Sequence, residues 1–389
     1  IKKMINYSKQ SIINSDIKAV SKTLKSNFLT QGPKSEEFEN KIKKFTGSKF
    51  SLVVNSASSA LLLACMALKL KKNDVIWTVP NTFAASANCV LLSGQKIDFV
   101  DIDKDNWNMS IEALRKKLAI AKLKNKLPKA VVVVHLAGLP TNPIELKKLS
   151  NKYKFYIIED ASHSIGSKYF GKKVGCCKWS DLCIFSFHPV KIITTGEGGC
   201  VNTNNRKFYE RMLLYKTNGI TKNSKKFKNK NLGPWYYEQQ SIGYNFRMND
   251  IQASLGINQL RRILQMLKKR NKIANIYKKK LINLPITFQN IDKDFFSSYH
   301  LFIIKLKTGS KLTHKKLFTY LRRNRIFVNL HYLPVHLHPF YKKFGFKKGD
   351  FPNSEDYGNT AISIPIYPDL SLKNQNKVIN LIKKFFKKK

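Results

Sequence analysis

The sequence predicts an α/β protein in which a mostly parallel mixed sheet, flanked by helices, is followed by a small α+β C-terminal domain. Short apolar strands alternate with helical segments between residues 51 and 185, which is typical of a mostly parallel sheet. After Asp250 this alternation gives way to a long helical stretch and then to a mixed segment. With 389 residues, 43% of them hydrophobic, the chain can bury a large core, and a disordered polypeptide is excluded.

Two helices are predicted ahead of the first strand. Apolar residues recur at helical spacing over residues 12–28, and the Gly-Pro pair within residues 28–33 ends this helix. A second helix is predicted with Ser35 as its N-cap and two glutamates in its first turn, where the helix dipole favours negative charge. Gly47 is predicted to end it.

The alternating series that follows defines the expected sheet. It comprises strands at 51–54, 75–79, 96–100, 131–135, 155–158 and 182–185, with helices at 58–69, 82–92 and 143–153. In sheets of this kind, ligands bind beyond the carboxyl ends of the strands. Three polar features are predicted to lie there: residues 55–59, Asp160 and residues 186–191. We therefore expect a binding site at this edge.

The C-terminal part begins with a predicted helical region over residues 251–280. A strand at 301–306, a helix at 314–323 and a final helix at 371–387 follow. We therefore divide the chain into a large domain with an N-terminal arm, residues 1–260, and a small domain, residues 261–389.

The net charge of +47 at first suggests a nucleic acid or an anionic membrane as a partner. However, residues 51–110 contain five Lys and five Asp, and the excess lysine is concentrated in expected surface segments such as residues 222–228. Proteins that read nucleic acids favour arginine, with aromatic side chains interleaved. We interpret the excess lysine as solvated surface with a weaker role in steering anions, and we predict no specific nucleic-acid partner.

A cytoplasmic location is expected. No stretch approaches the roughly 20 consecutive apolar residues that a membrane helix needs, and no apolar segment follows the basic N-terminus as in a secretory signal. The six cysteines lack a CxxC pair or metal-ligand spacing, which in a chain of this length is typical of buried thiols in a reducing compartment.

Lys191 is the first candidate for chemistry, because it stands just past a predicted strand and before a turn rich in Gly and Thr. A lysine amine forms an imine with an aldehyde when burial or a neighbouring cation lowers its pKa. Among so many lysines this position alone would be a weak candidate. The residues expected beside it make it a strong one.

Other candidates each have an ordinary structural alternative. Asp160 ends a strand and could pair with the protonated ring nitrogen of pyridoxal phosphate (PLP), or it could cap the following turn. Ser58 and Ser59 open a helix after a strand and could bind a phosphate, or Ser58 could be a plain N-cap. Phe83 could stack on a planar ring or pack in the core, and His163 could cover the other ring face or cap a loop.

A phosphate turn, a stacking aromatic, an acidic strand end and a lysine strand end, in this order, are what a PLP enzyme needs. With these motifs the sequence resembles the DegT/DnrJ/EryC1/StrS sugar aminotransferase family of PLP fold type I enzymes, nearly from end to end. The stretch 186–199, with Ser186, His188, Lys191 and Gly-Glu-Gly-Gly, is similar to that family's cofactor-lysine motif. Residues 159–163 are similar to its pyridine-nitrogen motif.

The resemblance implies a role for each matching residue. Lys191 would be the catalytic lysine, Asp160 the partner of the pyridine nitrogen, and His163 and Phe83 the groups on the two ring faces. The implied phosphate contacts are Ala57, Ser58 and Ser186. Relatives often have Thr at the position of Ser58, but the hydroxyl is retained. Family members with His in place of the lysine are sugar dehydratases, so Lys191 favours transamination.

Longer matching stretches narrow the resemblance to the subgroup that aminates C4 of UDP-linked 4-keto-6-deoxy-N-acetyl-hexosamines, as in pseudaminic acid biosynthesis. These stretches are residues 28–33, 55–61, 233–239, 243–248 and 331–336. The resemblance implies a UDP-linked keto-sugar as substrate and an amino-acid donor, with L-glutamate expected. It also implies a homodimer with shared active sites, in which Asn245 contacts the PLP phosphate of the neighbouring subunit and Arg247 adds positive charge there.

The substrate contacts implied by the resemblance form a second set. They are Tyr7, Leu29, Thr30, Gln31, Gly32, Arg247, Asn329, Leu330, His331, Tyr332 and Tyr341. For Tyr332 and Tyr341, packing between the two domains is an equally weighted alternative. We predict no metal site, because the spacings among His331, His336 and His338 are loose and interrupted by prolines.

Other functions stay open at this point. One alternative within the same chemistry is transamination of a different UDP-, GDP- or dTDP-linked 4-keto sugar. A second is a basic nucleic-acid-binding protein with a degenerate enzyme fold, which would bind DNA or RNA in a salt-sensitive way. A third is a purely structural homodimer. The last two predict no uptake of PLP.

Overall fold

The structure, a computed structural model, describes residues 4–229, 233–307 and 311–387. The strands are Phe50–Val54 (β1), Val75–Thr78 (β2), Lys96–Phe99 (β3), Ala130–Val134 (β4), Tyr156–Asp160 (β5), Lys168–Tyr169 (β6), Lys172–Lys173 (β7), Leu182–Ser186 (β8), Gly199–Thr203 (β9), Ile220–Thr221 (β10), Glu238–Gln239 (β11), Ile286–Phe288 (β12), Phe295–Phe296 (β13), Phe302–Leu306 (β14) and Ala361–Ile364 (β15). The helices are Asn14–Leu24 (α1), Pro33–Thr46 (α2), Ala57–Ala67 (α3), Ala84–Leu92 (α4), Ile111–Leu123 (α5), Pro143–Tyr153 (α6), Arg206–Tyr215 (α7), Asp250–Arg261 (α8), Ile263–Leu281 (α9), Lys311–Arg323 (α10), Pro339–Lys342 (α11), Pro352–Thr360 (α12) and Leu372–Lys387 (α13).

The central sheet, within the described part of the chain, has seven strands in the order β1-β9-β8-β5-β4-β2-β3. The pairs from β8 through β5, β4 and β2 to β3 are all parallel. Strand β9 runs antiparallel between β1 and β8. The sheet is therefore mixed but mostly parallel, which confirms the predicted fold class.

Helices cover both faces of this sheet, which explains its continuous apolar strands. In β4, Val132 packs in a cluster with Leu61 and Leu63 of α3. Its neighbours Val131 and Val133 point the other way, into a cluster that includes residues of α5 and α6. Because successive strand residues face opposite sides, a strand buried on both faces must be apolar throughout.

The helical region predicted over residues 251–280 is interrupted at Arg262, which separates α8 from α9. Helix α9 joins two cores. Its first part, including Met266, packs with the large sheet, whereas Ile273 and Tyr277 pack with the sheet formed by β12, β14 and β15. The small C-terminal unit is thus α+β, as predicted. The boundary at residue 260 stays a prediction.

The predicted N-cap of the second helix was wrong. Helix α2 begins at Pro33, which has no N–H to satisfy, and Asp250 of α8 caps the helix from outside. The Asp250 carboxylate accepts hydrogen bonds from the backbone N–H groups of Gly32 (2.8 Å) and Lys34 (2.7 Å). Ser35 instead donates to the carbonyl of Met248 (3.1 Å). The true cap is therefore a residue distant in sequence.

Helix α1 is shorter than the predicted 12–28 and turns its apolar side outward. Ile13, Ile17 and Leu24, which we call the α1 stripe, are 44%, 56% and 54% exposed. The buried side carries Asp16, whose carboxylate accepts hydrogen bonds from Arg262 (2.5 Å), which follows α8, and from two side chains of α8. Exposed apolar side chains at helical spacing along one helix make this face a candidate contact site.

Two further expectations concern the membrane and the cysteines. None of the helices within residues 4–229, 233–307 and 311–387 combines the length and the apolar character needed to cross a bilayer. The six cysteines are buried free thiols.

Candidate active site

A cavity of about 460 Å³ lies at the carboxyl edge of the central sheet, where the sequence predicted a site. The predicted site residues that line it are Tyr7, Ala57, Ser58, Phe83, Asp160, His163, Ser186, Lys191, Asn329, Leu330, His331 and Tyr332. They come from the N-terminal arm, from the ends of several strands and from the C-terminal part. The cavity therefore lies where the two parts of the chain meet.

Lys191 reaches this cavity from the turn that follows β8. Its backbone N–H donates to the carbonyl of His188 (2.9 Å), which tightens the turn. Burial lowers the pKa of the Lys191 amine from its usual 10.5 to about 8, and the nearby Asp160 carboxylate opposes part of that shift. A neutral, nucleophilic amine is thus accessible near physiological pH.

Asp160 is held at the end of β5 and is only 6% exposed. One carboxylate oxygen accepts a hydrogen bond from the Ser86 hydroxyl of α4 (2.5 Å). The other accepts from the hydroxyl (2.6 Å) and the backbone N–H (3.1 Å) of Ser162. These bonds orient the carboxylate, and a buried carboxylate needs a cationic partner in the cavity.

His163 and Tyr332 form a hydrogen-bonded pair across the cavity. The Nδ1 atom of His163 accepts a hydrogen bond from the N–H of Ala137 (3.3 Å), so its proton is on Nε2, which lies 3.2 Å from the Tyr332 hydroxyl. Burial, and then the positive charge of Lys191, lower the pKa of His163 well below its usual range. Burial raises the pKa of Tyr332. Both side chains are therefore neutral at neutral pH.

Phe83 precedes α4 and lines the same cavity, 6.0 Å from the Tyr332 ring between centroids. It is 60% exposed. The alternative that Phe83 packs in the core is therefore wrong, and its ring remains free to stack on a planar ligand.

The turn from β1 into α3 forms the remaining wall. Ser56 caps the helix by accepting a hydrogen bond from the N–H of Ser59 (3.1 Å), which leaves the exposed Ser58 facing the cavity. Strand β9 backs this turn so closely that a Cβ at Gly199 would lie 2.6 Å from the backbone of Ser56 and Ala57. The first N–H groups of a helix attract anions, so this turn suits a phosphate.

This set of donors fits PLP. The cavity combines a buried carboxylate for a protonated pyridine nitrogen, a helix N-terminus for a phosphate and an amine of lowered pKa for an aldehyde. Aromatic and imidazole side chains, Phe83 and His163, are available for the ring faces. The residues present thus match the chemistry of the cofactor part by part.

Tyr341, a predicted substrate contact, does not reach the cavity. Tyr341 is 3% exposed, its ring lies 6.1 Å from that of Phe99, and its hydroxyl donates to Asn88 (2.6 Å). The alternative of packing therefore applies to Tyr341, because its ring is buried and its hydroxyl is already bound to α4. We leave Tyr341 out of the proposed site.

Two predicted segments lie outside this chain's cavity but next to each other. The segment 29–32 is tied to residues 245–250 because the N–H of Asp250 donates to the carbonyl of Leu29 (2.9 Å). The Phe246 carbonyl in turn accepts from the N–H of Asn55 (3.0 Å), beside the phosphate turn. Leu29, Thr30, Gln31, Gly32, Asn245 and Arg247 thus share one surface beside the cavity.

Several residues at the site were not predicted. They are Ser56, Ser86, Ser162, His188, Glu197 and His300. Ser56, Ser162, His188 and Glu197 belong to motifs that we quoted, so closer reading of those motifs would have found them. Ser86 and His300 gave no local signal, because each acts through a contact with a distant segment.

Two of the three histidines considered for metal binding have other partners. His331 Nδ1 lies 2.8 Å from the Ser363 hydroxyl, and His336 Nε2 lies 3.0 Å from Glu355. Among the described residues, no group of three or more His, Cys, Asp or Glu side chains is placed to hold a metal ion.

Comparison with known proteins gives an independent result. Residues 10–383 match the DegT/DnrJ/EryC1/StrS aminotransferase family. A Campylobacter jejuni relative named UDP-4-amino-4,6-dideoxy-N-acetyl-beta-L-altrosamine transaminase is 39% identical over 373 residues, covering 95% of this chain and 94% of the relative.

Solved structures agree with this match. Helicobacter pylori PseC, an aminotransferase involved in the biosynthesis of pseudoaminic acid, superposes with a TM-score of 0.91 at 32% identity, covering all of both chains. The PLP form of the sugar aminotransferase Spr1654 from Streptococcus pneumoniae superposes with a TM-score of 0.89 at 26% identity, covering 99% of each chain. The predicted resemblance, enzyme class and cofactor are thereby confirmed.

Proposed function

Because the chain belongs to the DegT/DnrJ/EryC1/StrS aminotransferase family, we propose that it transfers an amino group to C4 of a UDP-linked 4-keto-6-deoxy-N-acetyl-hexosamine, as in pseudaminic acid biosynthesis. L-Glutamate is the expected donor. The observation that carries the proposal is the convergence of Lys191, Asp160 and the α3 N-terminus in one cavity. The relatives named above support the choice of sugar.

Lys191 would hold the aldehyde of PLP and act as the base. PLP supplies an electron sink for the negative charge that develops on the donor's α-carbon. Once the amino group of the donor has replaced it, the freed Lys191 amine would take the α-proton and return it to the cofactor side, and in the second half-reaction it would move a proton in the opposite sense. A pKa of about 8 suits both directions, because the amine is readily protonated and deprotonated near neutral pH.

The other residues bind and orient. The Asp160 carboxylate, held by two serine hydroxyls, would keep the pyridine nitrogen protonated. Ala57, Ser58 and Ser186 would bind the phosphate, and Phe83 and His163 would confine the ring between them. Tyr7, Asn329, Leu330, His331 and Tyr332 remain available for the sugar nucleotide.

The test is a substrate panel. Purified protein loaded with PLP is incubated with glutamate and UDP-, GDP- or dTDP-linked 4-keto sugars, including the C5 epimers, and the products are identified by mass spectrometry. The proposal expects an aminated UDP-sugar as the main product. Amination of a GDP- or dTDP-sugar instead would support the proposed transamination but reject the proposed UDP-sugar substrate. No amination of any panel member would reject the proposed function.

Cofactor capture by the apoenzyme is expected to accelerate with rising pH and to level off above about pH 8. Only the neutral amine attacks an aldehyde, and burial lowers the pKa of Lys191 to about 8. Stopped-flow absorbance after mixing apoenzyme with PLP, over a pH series, measures the rate. A rate still rising steeply near pH 10.5 would mean that Lys191 titrates like an exposed lysine.

We also propose a homodimer in which each active site uses both subunits. The α1 stripe exposes apolar side chains, as expected of a surface that a second copy covers. Asn245 and Arg247 lie outside their own cavity, on the surface that they share with residues 29–32. We propose that Asn245 reaches the phosphate of the partner's cofactor and that Arg247 and residues 29–32 contribute to the partner's substrate site.

Mixed dimers test this arrangement. K191A and N245D are each expected to be nearly inactive, the second because a carboxylate would repel the phosphate. When the two are co-expressed, a mixed dimer has one site with an intact lysine and an intact Asn245. Random assortment then restores about a quarter of wild-type activity. Recovery no greater than the sum of the two single variants would show that Asn245 serves its own subunit.

A further inference from the structure

We propose that His300 is a positioning residue for the cofactor site, an inference that rests on the proposed function. The ring of His300 holds His163 in place, and Arg270 in turn holds His300. Neither His300 nor Arg270 takes part in the chemistry described above. His300 precedes β14 and is 2% exposed. It nevertheless lines the active-site cavity.

The first link is between the two imidazoles. Their ring centroids lie 4.4 Å apart at an interplanar angle of 43°. His163 is bound on its edges by the N–H of Ala137 and the hydroxyl of Tyr332. These bonds set the tautomer, whereas the His300 ring occupies the space into which His163 would otherwise tilt. This tilted ring contact therefore completes the restraint on a side chain assigned to one face of the cofactor.

The second link joins the backbones of the two segments. The Ser298 hydroxyl donates to the carbonyl of His163 (2.7 Å). Gly138 allows this approach, because its φ is +102° and a Cβ there would lie 2.3 Å from the Ser298 hydroxyl and 3.1 Å from the His163 carbonyl. The chain around His300 is thus held to the chain around His163 by a close contact as well as by the rings.

The third link is Arg270 of α9, which is 0% exposed. Its Nη1 donates to the backbone carbonyls of Tyr299 (3.2 Å), His300 (3.2 Å) and Ile366 (3.1 Å). Tyr299 has a φ of +47°, a conformation that costs a non-glycine residue free energy and must be held by its surroundings. Arg270 supplies that restraint from the interface between the two cores and so fixes where the His300 ring points.

The nitrogens of His300 are not needed for this role. Among the described residues, its buried Nδ1 has no hydrogen-bond partner. Burial lowers the pKa of both His163 and His300 well below the usual range, so two neutral rings are in contact without charge repulsion. A phenyl ring at position 300 should therefore preserve the ring contact with His163, and a methyl group should not.

Binding of PLP to apoenzyme variants tests the inference. H300A is expected to weaken PLP binding by about tenfold, the effect of losing about 1.4 kcal/mol of coupling. It is also expected to shift the ¹⁵N resonances of His163 in the apoenzyme. H300F should remain within about threefold of wild type. H338A, which removes a half-buried histidine outside the cavity, is the matched control and should bind as wild type.

A double variant separates positioning from general destabilisation. If His300 acts through His163, H300A should change the PLP dissociation constant little when His163 is already alanine. Additive losses of PLP affinity in the double variant would overturn the proposal. So would H300F binding PLP as weakly as H300A. The proposal would also fail if H300A bound PLP as tightly as wild type and left the His163 resonances unchanged. Should H300A not fold, H300V, whose smaller side chain leaves part of that space open, replaces it under the same criteria. Failure of the wild type to bind PLP would instead reject the proposed function.

Discussion

Replacing Lys191 with alanine is expected to lower turnover by about 10³-fold or more and to remove the visible absorbance of lysine-bound PLP. The methyl group has no amine to hold the aldehyde and none to carry the α-proton. Among the residues that the structure describes, no other lysine lines the cavity to take over either task. Steady-state assay with the aminated sugar as readout, together with an absorbance spectrum of the purified variant, measures both effects.

Lys173 provides the matched control for this variant. It is a half-buried lysine outside the cavity, and its Nζ donates to the carbonyl of Phe45 (2.8 Å). K173A should keep the absorbance and nearly all turnover, because it removes a lysine without touching the site. Wild-type turnover in K191A would reject Lys191 as the catalytic lysine. Equal losses in both variants would assign the effect to general destabilisation.

Replacing Asp160 with asparagine is expected to lower turnover by roughly 10²- to 10³-fold, as when a single electrostatic contact to developing charge is removed. The side chain keeps its size, so the effect comes from losing the negative charge opposite the pyridine nitrogen. Without that charge the nitrogen loses its proton more easily, and the cofactor becomes a poorer electron sink. The measurement is turnover of D160N, with its melting temperature recorded without cofactor.

The serine that orients Asp160 supplies the comparison. S162A keeps the carboxylate and loses one charge-assisted hydrogen bond, so a loss of about tenfold is expected. A turnover of D160N far below that of S162A, with similar melting temperatures for the two variants, would support a charge effect. Turnover of D160N close to that of wild type would remove Asp160 from its assigned role.

The parts of the site predicted from sequence share one property. Asp160 ends a strand, and Lys191 and Ser58 each lie shortly after one; the apolar pattern of these strands is recognisable within a few residues. In a parallel sheet the carboxyl ends of the strands meet at one edge, so three separate motifs become neighbours without any knowledge of distant contacts.

The parts that sequence reasoning missed depend on distant contacts. Ser86 donates to a carboxylate 74 residues away, and Ser298 donates to a carbonyl 135 residues away. Asp250 caps a helix that precedes it by more than 200 residues, which is why Ser35 was chosen wrongly. For the helix cap, the sequence offered a suitable but wrong local partner. For the two serines it offered no signal. Only the folded chain brings each true pair together.

By itself the sequence determined the alternation of strands and helices, the family, the cofactor and the lysine and carboxylate at the strand ends, because these depend on local periodicity and on motifs contiguous in the chain. Only the tertiary structure decided that Tyr341 packs away from the cavity, that the α1 stripe faces outward and that the His300 ring contacts His163. The reason is physical. Whether a side chain is buried, and against what, depends on the segments that pack on it, and those segments lie far apart in the chain.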